Sequence, residues 1–331
     1  MRPFRQVVNY FEADDLAEVR SLIKAHPDLL QRKDILGRAL RHGTSLSMLK
    51  MIHELSSGDV QEALGFIEYG LKEEMANYLL RKGATFEACD VLPGCEALNA
   101  EVLAFSLKRI ELRNYPEIAK KSIAMLLSTY SRNPLEKHRC LELMEGVGFP
   151  LEDTPPMALH RGDLESLKEM LKTDQGLFKQ TFSEEDIYPS VWGIEPGDGL
   201  HLAPLPGGGL IHLAVEYDEK EILGWMLENG ADPNFRSLLD EEGFGGHTAL
   251  YHCTLSYTHK DARKAMALLK AGVDPDIRAN LRKQLRYMGD KDLEKMFRFR
   301  ALNAAEFARN FQVQAWVSEA SIEVIENFGK P

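Results

Sequence analysis

The stretch GLIHLAVEYDEKEILGWMLENGADPN, residues 209–234, decides the fold prediction. It contains two apolar segments with helical periodicity, and Leu223, Met226 and Leu227 recur on one face of the second segment. Gly230 follows that segment directly, at a place where a residue with positive φ ends a helix at low cost. The stretch therefore predicts a helical hairpin that is closed by a Gly-Ala-Asp-Pro-Asn turn.

His212 in this stretch has two interpretations. Either the hairpin brings it to Asp232 as a small active site, or the hairpin is one of several units and His212 bridges its own helix to a neighbouring loop. Repeats favour the second interpretation, because residues 248–276 follow the same plan with Gly272 in the place of Gly230. Shorter matches are RGDLESLKEMLKT from residue 161, LLRKGATFE from 79, MEGVGFPLED from 144 and ADDLAEVRSLIKAHPDLLQRKD at 13–34.

These segments resemble the ankyrin repeat, a helix-turn-helix unit of about 33 residues. LIHLAVE and TALYHC are similar to its first helix, GDLESLKEML to its turn and second helix, and NGADPN and AGVDPD to its connection. The resemblance is specific over 154–331, partial over 4–34 and weak over 35–133. Tyr251 departs from the pattern, which has a histidine there, and the connection 234–247 is longer than the usual one. The resemblance implies an all-α, ankyrin-type solenoid of stacked helix-turn-helix repeats.

We therefore predict one continuous solenoid in two parts. Residues 1–153 form divergent ankyrin-like helical repeats, and residues 154–331 form ankyrin repeats that end in a C-terminal capping repeat. The second part is interrupted by three insertions, at 183–209, 236–247 and 279–300. Helices are expected to begin at Pro116 and Pro134, and Thr248 is expected to cap the first helix of its repeat.

The composition indicates a cytoplasmic protein without affinity for nucleic acid or membranes. The formal net charge is −11, whereas binding to phosphates requires clustered cations. No run of 18 apolar residues occurs, and the N-terminal residues lack the apolar stretch of a secretory signal. The four cysteines contain no C-x-x-C pair, which favours a reducing compartment. We expect the chain to be monomeric.

The sequence contains no enzyme signature. The glycine runs at 207 and 243 lack the flanking strand and helix that a phosphate-binding loop requires. The best candidates for a metal site are His247, His252, Cys253 and His259, to which His201 and the acids Asp240, Glu241 and Glu242 could add ligands. His252 and Cys253 are adjacent on a predicted helix and point about 100° apart, so both can hardly bind one ion. We predict no metal, no cofactor and no catalytic residue.

The main functional prediction is a protein-protein interaction module, an adaptor or an inhibitor of the immunity type. It would bind its partner through loop tips and the concave face of the first helices. The candidate contact residues are the aromatics Tyr188, Trp192, Tyr217, Phe244 and Tyr257 and the acids Asp240, Glu241 and Glu242. Alternatively, Trp192 closes the first insertion by packing on the repeats. An alternative function is an enzyme, or a subunit of one, with a site in 183–209 near His201 or His212.

The segment 278–300 is strongly basic, with eight Lys and Arg against three Asp and Glu. Leu281, Leu285 and Met288 recur at helical spacing, which predicts a short helix with that stripe on the repeats. The cations Arg282, Lys283 and Arg286 would then lie on its solvent side. They either offset the acids 240–242 within the chain, or they attract an acidic partner and speed its association.

Overall fold

A computed structural model describes residues 3–32, 34–56, 58–66, 72–195, 201–256, 260–285, 295–311 and 314–329. The described chain is mostly helical, as the all-α class predicts, and it includes one two-stranded sheet. It divides into two compact units, Met1–Ser122 with Gly146–Gly148 and Ile123–Glu145 with Phe149–Pro331. No helix in the described ranges is long and apolar enough to cross a membrane.

The first unit is built from short helices. They are α1 (Pro3–Glu12), α2 (Leu16–Ala25), α3 (Ile35–Arg41), α4 (Leu46–Leu55), α5 (Val60–Leu64), α6 (Glu73–Arg81), α7 (Leu92–Glu96), α8 (Ala100–Leu107) and the start of α9 (Pro116–Ser128). Consecutive helices pack in pairs from α1 with α2 to α7 with α8. Their apolar faces share a core that includes Phe11, Ile52 and Leu79. Side-chain caps stabilise the starts of α2 and α4, since Asp15 and Ser45 each accept a hydrogen bond from the main-chain N–H three residues later.

The second unit carries the remaining elements. They are α10 (Pro134–Gly146), α11 (Pro155–Arg161), α12 (Leu164–Thr173), α13 (Glu184–Ile187), α14 (Leu210–Glu216), α15 (Lys220–Glu228), α16 (Leu250–Cys253), α17 (Arg263–Lys270), β1 (Ala279–Leu285), β2 (Lys295–Leu302), α18 (Ala304–Arg309) and α19 (Glu319–Asn327). Helices α9 and α10 begin at Pro116 and Pro134, so this sequence prediction is confirmed.

Four helical hairpins form the body of the second unit: α11–α12, α14–α15, α16–α17 and α18–α19. Their first helices contact one another in chain order, and α17 contacts both α15 and α19. Gly230 and Gly272 end the second helices of two hairpins with φ of 88° and 95°, a conformation that favours glycine. The predicted helical hairpin of residues 209–234 is therefore present.

The described residues of the basic segment form two antiparallel strands, which we call the β-hairpin, so the predicted helix over Leu281, Leu285 and Met288 is wrong where the chain is described. Strand β1 pairs antiparallel with β2. In β1, Leu281 and Lys283 are both buried, whereas Arg282 lies between them on the other face. The sequence MFRFR at 296–300 alternates with period two, which is the pattern of a strand. Arg286 and Met288 lie outside the described residues.

The predicted cap at Thr248 is also wrong. Helix α16 has only four residues, and its N-cap position is Ala249. The main-chain oxygen of Thr248 accepts a hydrogen bond from Tyr251 N, while its hydroxyl has no hydrogen-bond partner in the described chain. A tight turn therefore replaces the side-chain cap at this helix start.

Candidate functional site: an insertion groove and a buried ionic network

A buried ionic network connects the insertions to the helical hairpins of the second unit. Glu216 ends α14, and its side chain is only 1% exposed. Its Oε1 accepts hydrogen bonds from Arg132 Nη2 at 2.7 Å and from the main-chain N–H of Leu202 at 3.0 Å. Its Oε2 lies 2.7 Å from Nδ1 of His252 in α16. One carboxylate thus connects four separate segments of the chain.

The electrostatics explain why this carboxylate remains charged. Burial alone would raise the pKa of Glu216, but the Arg132 charge and the His252 hydrogen bond outweigh burial and hold that pKa well below its ordinary value. A buried charge is tolerated only when it is paired and hydrogen-bonded. Glu216 therefore needs its contacts with Arg132 and His252 to remain buried and charged. We call these three residues the buried triad.

Lys137 and His160 form a second buried contact near this triad. Lys137 Nζ lies 2.5 Å from His160 Nδ1, and His160 Nε2 donates to the main-chain oxygen of Ile187 at 3.2 Å. Because Nε2 carries the proton, Nδ1 is the acceptor and the lysine donates. Burial and then the Arg132 charge lower the pKa of Lys137 to about 7. The contact attaches α13 to α11 and α10.

Tyr188 and Tyr217 are core residues, so their predicted exposure at a contact surface is wrong. The Tyr217 hydroxyl donates to the Tyr188 hydroxyl at 2.6 Å, and both rings are buried. Lys137 Nζ lies 4.3 Å from the centre of the Tyr217 ring. The first insertion covers the end of α14, and this removes Tyr217 from solvent.

His212 has the bridging role that the repeat interpretation predicts. Its Nδ1 accepts from Gly209 N at 3.1 Å, and its Nε2 donates to the main-chain oxygen of His247 at 3.0 Å. Burial lowers the pKa of His212 to about 3, so the ring is neutral near pH 7. Both ring nitrogens are engaged within the chain, and neither is free to transfer a proton to a substrate.

Lys283 and His201 join the β-hairpin to the first insertion. Lys283 is buried, and its Nζ donates to the main-chain oxygen of His201 at 3.0 Å. The prediction that Lys283 faces solvent is therefore wrong, because residues 281 and 283 share the inner face of β1. Burial lowers the pKa of Lys283 to about 8 and that of His201 to about 3.

The second insertion, residues 236–247, folds into a compact loop, which we call the finger. Asp240 organises its tip, since its Oδ1 accepts from the main-chain N–H groups of Glu242 and Phe244 at 2.9 Å each. Gly245 has a φ of 114°, and a Cβ atom there would lie 1.9 Å from the Leu238 carbonyl oxygen. Only glycine fits this close approach, so the finger has a defined shape.

Acidic residues of the finger pair with the β-hairpin. Arg282 forms salt bridges with Asp240 and with Glu242, the second at 2.9 Å, and its guanidinium lies 4.2 Å from the centre of the Phe244 ring. Glu241 is exposed. These contacts agree with the interpretation in which cations of the basic segment offset the acids 240–242 within the chain. Phe244 is buried beneath Arg282, so its predicted exposure at a contact surface is wrong.

The three insertions border a groove of about 630 Å³, which we call the insertion groove. Its lining comes from residues 181–186, 204–207, the finger and positions 280–282 of β1. The finger contributes Leu238 and Leu239, whose side chains are 60% and 64% exposed. A hydrogen bond from Leu238 N to the Gly207 oxygen, 2.9 Å long, joins the finger to the first insertion.

The apolar floor of the groove contrasts with its charged rim. Phe182 and Leu281 are buried lining residues, and Pro204 and Pro206 also line the groove. On the rim, Glu184 and Asp186 belong to α13, whereas the charge of the lining residue Arg282 is paired with Asp240 and Glu242. The groove can therefore accept an apolar group next to a positive charge.

The remaining predicted contact residues have varied surroundings. Trp192 is half-buried in a single helical turn, and its neighbour Val191 is exposed. Tyr257 and Arg286 lie outside the described residues. In the described ranges, no three His, Cys, Asp or Glu side chains are placed to hold one metal ion.

Sequence reasoning missed the buried triad and the two leucines of the finger. Glu216 ends the otherwise apolar run LIHLAVE, which is a signal for a buried charge with a distant partner. Leu238 and Leu239 stand in the polar insertion RSLLDEEG, where two adjacent apolar residues have no repeat core to join. A scan against protein-family models and a search of curated proteins find no match to this chain.

Proposed function

We propose that this protein is a non-catalytic, protein-binding module whose partner docks in the insertion groove. The observation that carries the proposal is the adjacent pair Leu238 and Leu239, which are exposed on the finger at the lip of an apolar groove. Complete burial of a leucine side chain is worth about 1.5–3 kcal/mol, so covering such a pair is a substantial driving force for docking.

The partner is a protein segment with an apolar side chain flanked by a basic residue. The apolar floor around Phe182 and Leu281 accepts the apolar side chain, and the exposed carboxylate of Asp186 attracts the basic residue. The contacts of His212 support a binding role over a catalytic one near that residue, because both of its ring nitrogens form hydrogen bonds to main-chain groups of this chain.

The scaffold of the module is of the ankyrin type. Support comes from the four helical hairpins in chain order and from the Gly turns after the second helices. The module is monomeric and acts in the cytoplasm as an adaptor or an inhibitor. In the described chain, none of the four cysteines forms a disulfide, which agrees with a reducing compartment.

Photo-crosslinking in the native cell tests the proposal. A benzophenone amino acid replaces Leu239 in one variant and Leu135 in the control, since Leu135 is 74% exposed in α10 and does not line the groove. We expect one discrete crosslinked protein from position 239 that position 135 does not give. Equal crosslinking patterns from the two positions, or none from 239, would contradict the proposal.

A further inference from the structure

The outer edge of β2 is a second surface with the geometry of a binding site. The inner edge of β2 pairs with β1, and the far edge of β1 meets the finger at Asn280, whose main-chain oxygen accepts a hydrogen bond of 2.7 Å from Gly245 N. Within the described ranges, no strand lies along the other edge of β2. Alternate residues of such an edge direct their main-chain N–H and C=O groups outward.

Aromatic packing holds this edge in place. Phe299 in β2 lies 5.4 Å from Phe307 and 5.3 Å from Phe311 between ring centres, and Phe297 stacks beside it at 6.5 Å. These rings occupy the inner face of the strand. The strand is thus ordered before any ligand arrives, which reduces the entropy cost of pairing with it.

The outer face of β2 is cationic. Met296, Arg298 and Arg300 alternate along it, and all three are exposed. Glu242 reaches Arg298 only at 3.6 Å, because the same carboxylate lies closer to Arg282. In the described chain, no carboxylate pairs with Arg300, whose guanidinium lies 4.5 Å from the centre of the Phe244 ring.

The charges of Arg298 and Arg300 determine which kind of strand can pair with the outer edge of β2. In an antiparallel pair of two copies of β2 centred on Phe299, Arg298 of each copy would lie opposite Arg300 of the other, and like charges opposite each other destabilise a sheet. Arg282 and Arg298 are also opposite each other in this protein, but Glu242 contacts both of them. Carboxylates on an incoming strand would instead lie beside both arginines.

We propose that an extended acidic segment of a partner protein adds to the outer edge of β2 as a third strand. Its main chain pairs with the N–H and C=O groups that β2 directs to its outer edge between Lys295 and Arg300, and its alternate carboxylates face Arg298 and Arg300. This surface is separate from the lining of the insertion groove, so either proposal can fail while the other holds.

The test uses the full-length protein and a fluorescent ten-residue peptide of alternating glutamate and valine. Fluorescence anisotropy measures its binding, with a valine-lysine peptide as the charge control. We expect the glutamate peptide to bind and the lysine peptide not to bind. Arg298→Glu/Arg300→Glu should weaken binding at least tenfold, whereas Lys270→Glu, an exposed cation on α17, should leave it within twofold.

Two N-methylated versions of the peptide test main-chain pairing apart from charge. One is methylated on every glutamate nitrogen and the other on every valine nitrogen. In a paired strand, the N–H groups of alternate residues point toward β2 and those of the other residues point away from it. Methylation of the first set should therefore abolish binding, whereas methylation of the second set should not.

Equal binding of both methylated peptides, or no binding of the parent peptide, overturns the proposal. So does unchanged affinity in the double arginine variant. If the parent peptide does not bind and the double variant self-associates, the two arginines instead protect the edge from pairing between copies.

Discussion

Removing the charge of Glu216 should destabilise the second unit far more than removing any exposed acid. Glu216→Leu leaves the Arg132 guanidinium, which is 2% exposed, without its counter-charge. It also removes the acceptor of the Leu202 N–H and of His252 Nδ1. Loss of one partner of a buried ion pair costs about 3–5 kcal/mol, a large part of the 5–15 kcal/mol typical of a folded domain.

The double variant Arg132→Met/Glu216→Leu isolates the reason for this loss. If the cost comes from a buried charge without its partner, removal of that charge should restore stability. We expect the double variant to be at least about 1 kcal/mol more stable than Glu216→Leu alone. Glu165→Leu is the matched control, because Glu165 is 80% exposed and pairs with Lys168 on the surface.

Urea unfolding monitored by tryptophan fluorescence measures these differences. All three tryptophans, Trp192, Trp225 and Trp316, lie in the second unit, so the signal reports on that unit. We expect the control to change the free energy of unfolding by less than about 1 kcal/mol. A loss below about 1 kcal/mol in Glu216→Leu, or a double variant no more stable than it, would refute the reasoning.

Two further predictions concern the buried histidines and the finger. Burial holds the pKa of His212 at about 3 and that of His247 well below its ordinary value, so an unfolded chain takes up protons at these residues as the pH falls below about 6.5. Each histidine should therefore lower the free energy of unfolding by about 1.3 kcal/mol between pH 7 and pH 5.5. An unchanged urea midpoint over that interval would contradict this. Gly245→Ala should open the finger, because its Cβ atom would overlap the Leu238 oxygen at a φ of 114°. Hydrogen exchange of residues 237–246 should accelerate in that variant. It should stay unchanged in the control Gly224→Ala, where a Cβ atom meets nothing within 4 Å. Wild-type protection of these residues in Gly245→Ala would show that the finger tolerates the change.

Local patterns predicted the helical hairpins because each depends on a few neighbouring residues. Gly230 and Gly272 end α15 and α17, and Pro116 and Pro134 begin α9 and α10. Each of these signals can be recognised from the residues next to it. The β-hairpin was missed for a physical reason. Leu281 fits a helical stripe as well as a strand, and only the alternation in 296–300 distinguishes the two.

The candidate site depends on contacts that no local pattern contains. Arg132 and Glu216 are 84 positions apart, and Tyr188 and Tyr217 are 29 apart. Tyr217 lies at the end of a first helix, a position that is exposed unless an insertion covers it. Such covering depends on the path of residues 183–195, which neither periodicity nor composition determines.

The affinity of the partner crosslinked at position 239 is the most direct test of the central claim. Calorimetry compares wild type, Leu238→Ser/Leu239→Ser and the control Leu135→Ser. Loss of two docked leucines should weaken binding at least tenfold, which corresponds to about 1.4 kcal/mol, while the control should match wild type. If the double variant binds the partner as tightly as Leu135→Ser does, the insertion groove is not the binding site.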